Sequence, residues 1–381
     1  MSGSAPAFVP GLAGVPAAQS AISYVDGQLG VLEYRGIRIE TLAKQSNFDE
    51  VCWLLLTGEL PNAEQLQTFQ GKLAEQRQLP DRMLRVLESL PGKGHPMSAL
   101  QASLSALAMF DKSPNLRDPA ELDSACVRIL AATPVLVAAF DRLRHGKDLV
   151  PPDPTLGTAA NFLLQLNGQR ASELAARVFD AALILHADHT MNASTFAARV
   201  VASTEAGPYE VCSSALGALH GPLHGGANEK VLEHLEDIGA PAQVGPWLDA
   251  RLAAKGKVMG FGHRVYKVKD PRANILQDLA RDLFAESGTT PLYDTALALE
   301  AEMARRVGSK GIYPNVDFFS GIVYAKLGIP TDLFTAVFGI SRVAGYLAHW
   351  REQIIGNKIY RPEQVYTGQH DRPFKPLAAR S

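Results

Sequence analysis

The stretch "NFDEVCWLLLTG", Asn47 to Gly58, decides the fold class. Asn47 can cap the first turn through its side chain, with Glu50 three residues on, and Gly58 supplies the stop. Between them the apolar residues run too densely for the alternation of a half-buried strand, so the segment reads as a core helix. Working outward, "NAEQLQTFQGKLAEQ" spaces Leu66, Phe69 and Leu73 along one helical face, and "DRMLRVLESL" and "MSALQASLSALAMF" repeat that period. Upstream the pattern differs. "AISYVDGQLGVLEYRG" sets apolar and aromatic residues on both sides of Asp26-Gly27, a pair suited to a tight hairpin turn with positive φ. No later stretch alternates as well, and "DLVPPDPTLG" reads as a loop between helices. The expected fold class is all-α, with one small N-terminal β-hairpin.

The 381 residues, 46% of them hydrophobic and 20% charged, suffice for a large core and two domains. A formal net charge of -2 without any long basic run excludes a partner held by a sustained positive field, so neither nucleic acid nor a membrane surface is expected. Cys52, Cys126 and Cys212 lie far apart, without metal-type spacing, and predict reduced thiols in a cytoplasmic setting. The first basic residue is Arg35, so the N-terminus has neither the n-region of a secretory signal nor the arginines of a transit peptide. No apolar run is read as approaching the length of a membrane span.

Chemistry-bearing residues cluster in the second half. Six of the ten histidines fall between His186 and His263. "ILHADHTMNAST" puts His186 and His189 three apart, on one side of a helix. In "GALHGPLHGGANEK", Pro222 suits a helix start, which places His224 near a helix N-terminus that keeps its imidazole neutral. "GFGHRVYKVKDPRA" sets His263 directly after the glycine pair Gly260 and Gly262 and packs Arg264, Lys267, Lys269 and Arg272 around one acid, Asp270. Gly260 and Gly262 allow tight turning and close approach of another molecule, and the cations form an anion site. Two histidine pairs raise the question of zinc, but no HExxH occurs and the adjacent cations would repel a divalent ion, so no metal is expected. Asp317 lies inside the apolar, aromatic "PNVDFFSG", where desolvation raises basicity unless a salt bridge holds it. Arg342 sits in the apolar "FTAVFGISRVAGYLAHW" and needs an anion. Arg361 precedes a proline and falls on extended or irregular chain.

In their order, "HADH", "NAST", "GPLHGGAN", "GFGHRVYKVKDPRA", "PNVDFFSG", "SRVAGYLAHW" and "RPEQVYTG" resemble citrate synthase, over nearly the whole length. The beginning is similar to the short bacterial form of that family. The resemblance implies condensation of acetyl-CoA with oxaloacetate, and hydrolysis of citryl-CoA to citrate and CoA, at the entry to the tricarboxylic acid cycle, with no cofactor. It implies that Asp317 is the general base, that His224 bonds the thioester oxygen, and that His263 bonds and protonates the oxaloacetate carbonyl. His189, Arg272, Arg342 and Arg361 would hold oxaloacetate, Arg361 reaching the other subunit of a homodimer. Lys267, with Gly260 and Gly262, would lie at the CoA. The implied architecture is a large helical domain of residues 1–225 and 329–381 and a small helical domain of residues 226–328. Gly339 and Gly345 are expected to permit close packing at a buried interface. The alternative is 2-methylcitrate synthase, which uses propionyl-CoA. Those enzymes tend to carry Pro after the "GFGH" histidine and Leu-Asp-Trp around the base, whereas Arg264 and Val316-Asp317-Phe318 stand here. His186, His220 and Thr190 receive no role.

Overall fold

A computed structural model describes residues 8–380. The first seven residues, on which the reading of the N-terminus partly rests, lie outside that range. Sixteen α-helices, one antiparallel three-stranded sheet and short 3-10 turns are the regular elements of the described chain, so the fold is all-α with a small β element. Strands β1 (Ser23–Asp26), β2 (Val31–Tyr34) and β3 (Ile37–Arg38) lead into α1 (Ile39–Gln45) and α2 (Phe48–Thr57). Next come α3 (Ala63–Gln76), α4 (Asp81–Ser89), α5 (Pro96–Leu107), α6 (Pro119–Arg144), α7 (Thr158–Asn167) and α8 (Glu173–His186). The second half contains α9 (Ala193–Ala202), α10 (Pro208–Leu219), α11 (Ala227–Ile238), α12 (Val244–Ala253) and α13 (Pro271–Ser287), then α14 (Pro291–Val307), α15 (Val316–Lys326) and α16 (Phe334–Ile354).

Local signals set the helix ends. Asn47 Oδ1 accepts the Glu50 N–H at 3.0 Å, and Gly58 closes α2 at φ 98°. The α3 capping box is complete, since Asn62 and Gln65 each bond the other's backbone. The hairpin departs from expectation. Asp26 pairs with Val31, leaving a four-residue turn in which Asp26 Oδ1 accepts the N–H groups of Gln28 and Leu29. The tight turn with two positive φ values lies one strand later, at Arg35 (φ 50°) and Gly36 (φ 81°), where Tyr34 faces Ile37 and opens the unexpected β3. The Arg35 guanidinium bonds Leu55 O at 2.7 and 3.2 Å and holds a non-glycine residue in that conformation.

The core is built around α16, in which every residue from Phe334 to Trp350 is buried. It packs on α2, α6, α8, α9 and α10. All three cysteines are free and buried. The expectation of no span-length apolar segment needs correction: α6 is long and apolar enough by length and composition, at mean hydropathy 1.6. Its apolar window is 83% buried among the other helices, as in the core helix of a globular fold. The α16 glycines make close contacts within the chain. A Cβ on Gly339 would stand 2.8 Å from Leu216 Cδ2, and one on Gly345 would stand 2.5 Å from both Ala187 O and Asp188 Oδ1. Gly345→Ala must therefore displace backbone, and it is expected to destabilise by about 1 to 3 kcal/mol. A lowered Tm in a thermal melt checks this.

Candidate active site

Helix α8 ends at His186, and the chain turns through Asp188 and His189 into Thr190 at φ 50°. His186 and His189 therefore do not share a helix face. His186 faces the core, with Nδ1 2.7 Å from Ala182 O and its ring against Phe338, and burial lowers its pKa to about 3. His189 points the other way. Its Nε2 lies 3.2 Å from Tyr266 Oη, and its ring centroid is 5.4 Å from that of His263 and 5.6 Å from that of Tyr266. Burial first, and then the charge of Arg272, hold His189 well below the ordinary histidine range. Tyr266 is a site residue that sequence reasoning missed. Its only signal was its place three residues after His263.

The loop bearing His263 is fixed by pairing with the segment that leads to α15. Gly260 (φ 80°) and Gly262 (φ 82°) flank Phe261, which forms an antiparallel bridge with Pro314. Asn315 N donates to Gly260 O at 2.9 Å, and Gly262 N donates to Tyr313 O at 2.8 Å. The missing Cβ of Gly260 leaves room for Phe318 and Val231, at 2.9 and 2.7 Å, while Gly262 faces open space. His263 Nδ1 accepts the N–H groups of Val265 and Tyr266 at 3.0 and 3.2 Å. A nitrogen that accepts twice carries no proton, so the ring's proton sits on Nε2. Burial and the Arg272 charge lower the His263 pKa to about 4.

The cations of this segment do not act alike. Lys269 turns to Gln277 and Glu300, at 2.6 and 3.1 Å. The side chains of Arg264 and Lys267 are exposed and form no ion pair among the described residues. Arg272 is 3% exposed and grips Asp270 through two bonds of 3.1 and 2.8 Å. Burial opposes both charges of this pair, but their mutual attraction prevails, so Asp270 stays below and Arg272 above the ordinary range. Asp270 also caps α13 through the Arg272 N–H, which fixes where the guanidinium points.

Asp317 lies in the first turn of α15, its N–H held by the Asn315 side chain at 3.0 Å. The carboxylate enters no ion pair and accepts no hydrogen bond among the described residues. Burial raises its pKa to about 6, against the pull of Arg272 and Arg342. Arg342, on α16, is 1% exposed. Its Nε donates to His186 O at 2.7 Å and its guanidinium lies 4.6 Å from the Phe338 ring centroid. It too has no carboxylate partner among the described residues, and burial lowers its pKa.

Pro222 opens a turn of residues 222–226 ahead of α11, which starts only at Ala227. The helix N-terminus that His224 meets is that of α9. Its Nε2 stands 2.8 Å from Ser194 Oγ, 3.3 Å from Ser194 N and 3.2 Å from Asn192 Oδ1, Asn192 being the α9 cap. The Ser194 N–H is shared between Asn192 Oδ1 and Nε2, and with Nε2 accepting it the neutral ring carries its proton on Nδ1. Burial, then Arg342, lower the His224 pKa to about 4. The fields of Arg272 and Arg342 thus act jointly on His189 and Asp317, and they tie both histidine turns, the GFGH loop and two helices into one site. Arg361 is not brought in. It stands exposed on the C-terminal tail, without a hydrogen bond to any described residue.

Against known proteins, residues 11–363 match the family described as "Citrate synthase, C-terminal domain". A citrate synthase of Synechocystis sp. is 53% identical over 373 residues, covering 98% of this chain and 94% of that protein. One from Acidithiobacillus ferridurans is 45% identical, covering 99% of each. Among solved structures, citrate synthase of Pyrobaculum aerophilum superposes with a TM-score of 0.92 at 39% identity, over 98% of this chain and 95% of that one. That of Thermoplasma acidophilum, solved as a ternary complex with carboxymethyl coenzyme A and oxaloacetate, gives 0.90 at 32% identity, over 96% and 98%. The fold and these matches define an enzyme, an acyltransferase that forms a carbon–carbon bond. The chain belongs to the citrate synthase family.

Proposed function

We propose that this enzyme condenses acetyl-CoA with oxaloacetate and hydrolyses the resulting citryl-CoA to citrate and CoA, in the cytoplasm at the entry to the tricarboxylic acid cycle, with no cofactor and no metal. The observation that carries the reading is Arg342. A buried guanidinium without a carboxylate partner among the described residues, near Arg272 and two neutral histidines, suits a small dianion that supplies the missing charge. The Thermoplasma relative, solved with oxaloacetate and a CoA analogue, supports the same pair of substrates.

In this reading Asp317 takes a proton from the acetyl methyl group. His224 donates from Nδ1 to the thioester oxygen as the enol or enolate forms. The nucleophilic carbon adds to the ketone of oxaloacetate, whose oxygen accepts the Nε2 proton of His263 and becomes the citrate hydroxyl. Water then cleaves the citryl thioester and releases the CoA thiol. His189, Arg272 and Arg342 hold oxaloacetate, and Lys267 with Gly260 and Gly262 meets the CoA. A carbon acid beside a thioester lies far above any carboxylate in pKa, so donors preorganised at the oxygen carry much of the stabilisation. The neutral, single-proton state of both histidines favours those roles.

The proposed domains are residues 1–225 with 329–381, and residues 226–328. Gly328 at φ 76° and the turn before Ala227 are the crossing points, a placement that suits closure over the substrates. A homodimer in which Arg361 completes the neighbouring site is supported by the tail itself, where Ile355, Ile359, Val365 and Phe374 stand 80, 64, 64 and 83% exposed.

The test is thiol release with acetyl-CoA or propionyl-CoA, each with and without oxaloacetate. Release is expected with acetyl-CoA and oxaloacetate together, and about tenfold or more slower with propionyl-CoA, one methylene larger. No release with acetyl-CoA and oxaloacetate overturns the reading, and faster release with propionyl-CoA replaces it by methylcitrate synthesis. Sharing of Arg361 is checked with purified heterodimers of an Asp317→Ala chain and an Arg361→Ala chain, each homodimer folded but inactive. A shared site leaves one of two sites intact, so about half of normal activity returns. Silence from a folded heterodimer assigns Arg361 to its own site.

A further inference from the structure

We propose that the small N-terminal sheet is a positioning element of the oxaloacetate pocket, setting the separation of His189 and His263 by gripping both segments that carry them. The inference rests on the pocket assigned above. At the base of the hairpin, Ser23 on β1 hydrogen-bonds Asp188 Oδ2 and accepts the Thr190 N–H at 3.0 Å. Opposite Ser23 in the register, Tyr34 on β2 is fully buried, and its hydroxyl lies 2.9 Å from Asp188 O while accepting the Asp188 N–H at 3.1 Å. These bonds flank His189 on both sides and hold Thr190 in the left-handed region, which a β-branched residue resists. His349 backs the Asp188 carboxylate at 3.3 Å, and Arg199 Nε donates to His349 Nδ1 at 2.9 Å, so the turn is braced from the core as well.

At the tip of the same hairpin, Gly27 O accepts the Lys267 N–H at 2.8 Å. A Cβ on Gly27 would stand 2.3 Å from Val265 O, and one on Gly30 would stand 2.9 Å from Val268 Cγ2. Val265 and Tyr266 are the residues whose N–H groups fix the His263 ring. Base and tip are joined by four-residue strands, which span about 10 Å of hydrogen-bonded ladder. Two segments more than seventy positions apart in sequence, one in each proposed domain, are thus both held by the one sheet, which sets their separation wherever these contacts are made. The one direct hydrogen bond between the two histidine segments in the described chain is Tyr266 Oη to His189 Nε2.

The test compares Gly27→Ala at the tip, Ser23→Ala at the base, His189→Asn in the pocket and Gly36→Ala as control. Gly36 has φ 81° and nothing within 4 Å of its missing Cβ, so its substitution strains the sheet without touching the pocket. Oxaloacetate affinity is measured by equilibrium titration of the full-length enzyme, beside Tm. Gly27→Ala is expected to weaken oxaloacetate about tenfold or more, because displacement of a donor by a fraction of an ångström is enough. Ser23→Ala is expected to weaken it about threefold, while Gly36→Ala lowers Tm and keeps affinity within about twofold. Unchanged affinity in Gly27→Ala, or affinity that simply tracks Tm across the three sheet variants, overturns the inference. Should Gly27→Ala not fold, Ser23→Ala decides, and unchanged affinity there overturns it. A loss in His189→Asn beside intact affinity in Gly27→Ala removes the inference alone. Unchanged affinity in His189→Asn removes the pocket assignment and the inference with it.

Discussion

Asp317→Asn is expected to lower turnover by about 10³-fold, to leave oxaloacetate binding nearly intact, and to make the folded enzyme more stable at pH 8. The amide keeps the shape and the α15 first-turn position but cannot accept a carbon-bound proton. The stability gain follows from the raised pKa of the carboxyl, about 6 in the folded chain against an ordinary 3.8. A group whose folded pKa is raised favours folding while protonated. Its contribution is full below about pH 3.8 and is lost as pH rises through about 6. Above that range the partly buried charge opposes folding, by about 2 to 3 kcal/mol at most, and asparagine removes the charge. Denaturation of both proteins at pH 8 and pH 4 checks the sign, since the variant's advantage should shrink with acid. The same titration predicts that kcat/KM of the parent falls below about pH 6, as the base becomes protonated in the free enzyme. Turnover within about tenfold of the parent would exclude Asp317 as the base.

Arg342→Leu is expected to weaken oxaloacetate by about 10² to 10³-fold and to change acetyl-CoA affinity little. Removing one member of a buried, hydrogen-bonded charge pair costs about 2 to 5 kcal/mol, and here the other member is the substrate. The protein itself should tolerate the change better than usual for a buried arginine. Leucine matches the apolar walls of α16, and burial already disfavours the guanidinium charge in the free enzyme. The loss is confined to the bond from Nε to His186 O and the face contact with Phe338. Separate titrations of the two substrates read the outcome. Equal losses for both would make Arg342 a structural residue.

What the chain determined by itself was local. Asn47, Glu50 and Gly58 bound α2, and Asn62 with Gln65 bounds α3, because caps are made by side chains acting within three residues of their own backbone. Arg342 and Asp317 could be singled out because a charge embedded in an apolar run is costly wherever the run packs. Tertiary structure decided the pairings that no short window contains. Tyr266 meets His189 across 77 positions, and the proton of His224 is directed by Ser194, 30 positions away at the start of a different helix. The tight turn moved from Asp26-Gly27 to Arg35-Gly36, since the 27–30 turn lies against Val265 and Val268 while the Arg35 guanidinium secures the second turn on Leu55 O. Gly345, expected to permit close packing, has as its close neighbours Ala187 and Asp188, more than 150 positions away in the chain. Caps and periodicity act through covalent neighbours and survive in a fragment. The separation of two histidines depends on which backbones approach within 3 Å after the core has closed, and that is a property of packing.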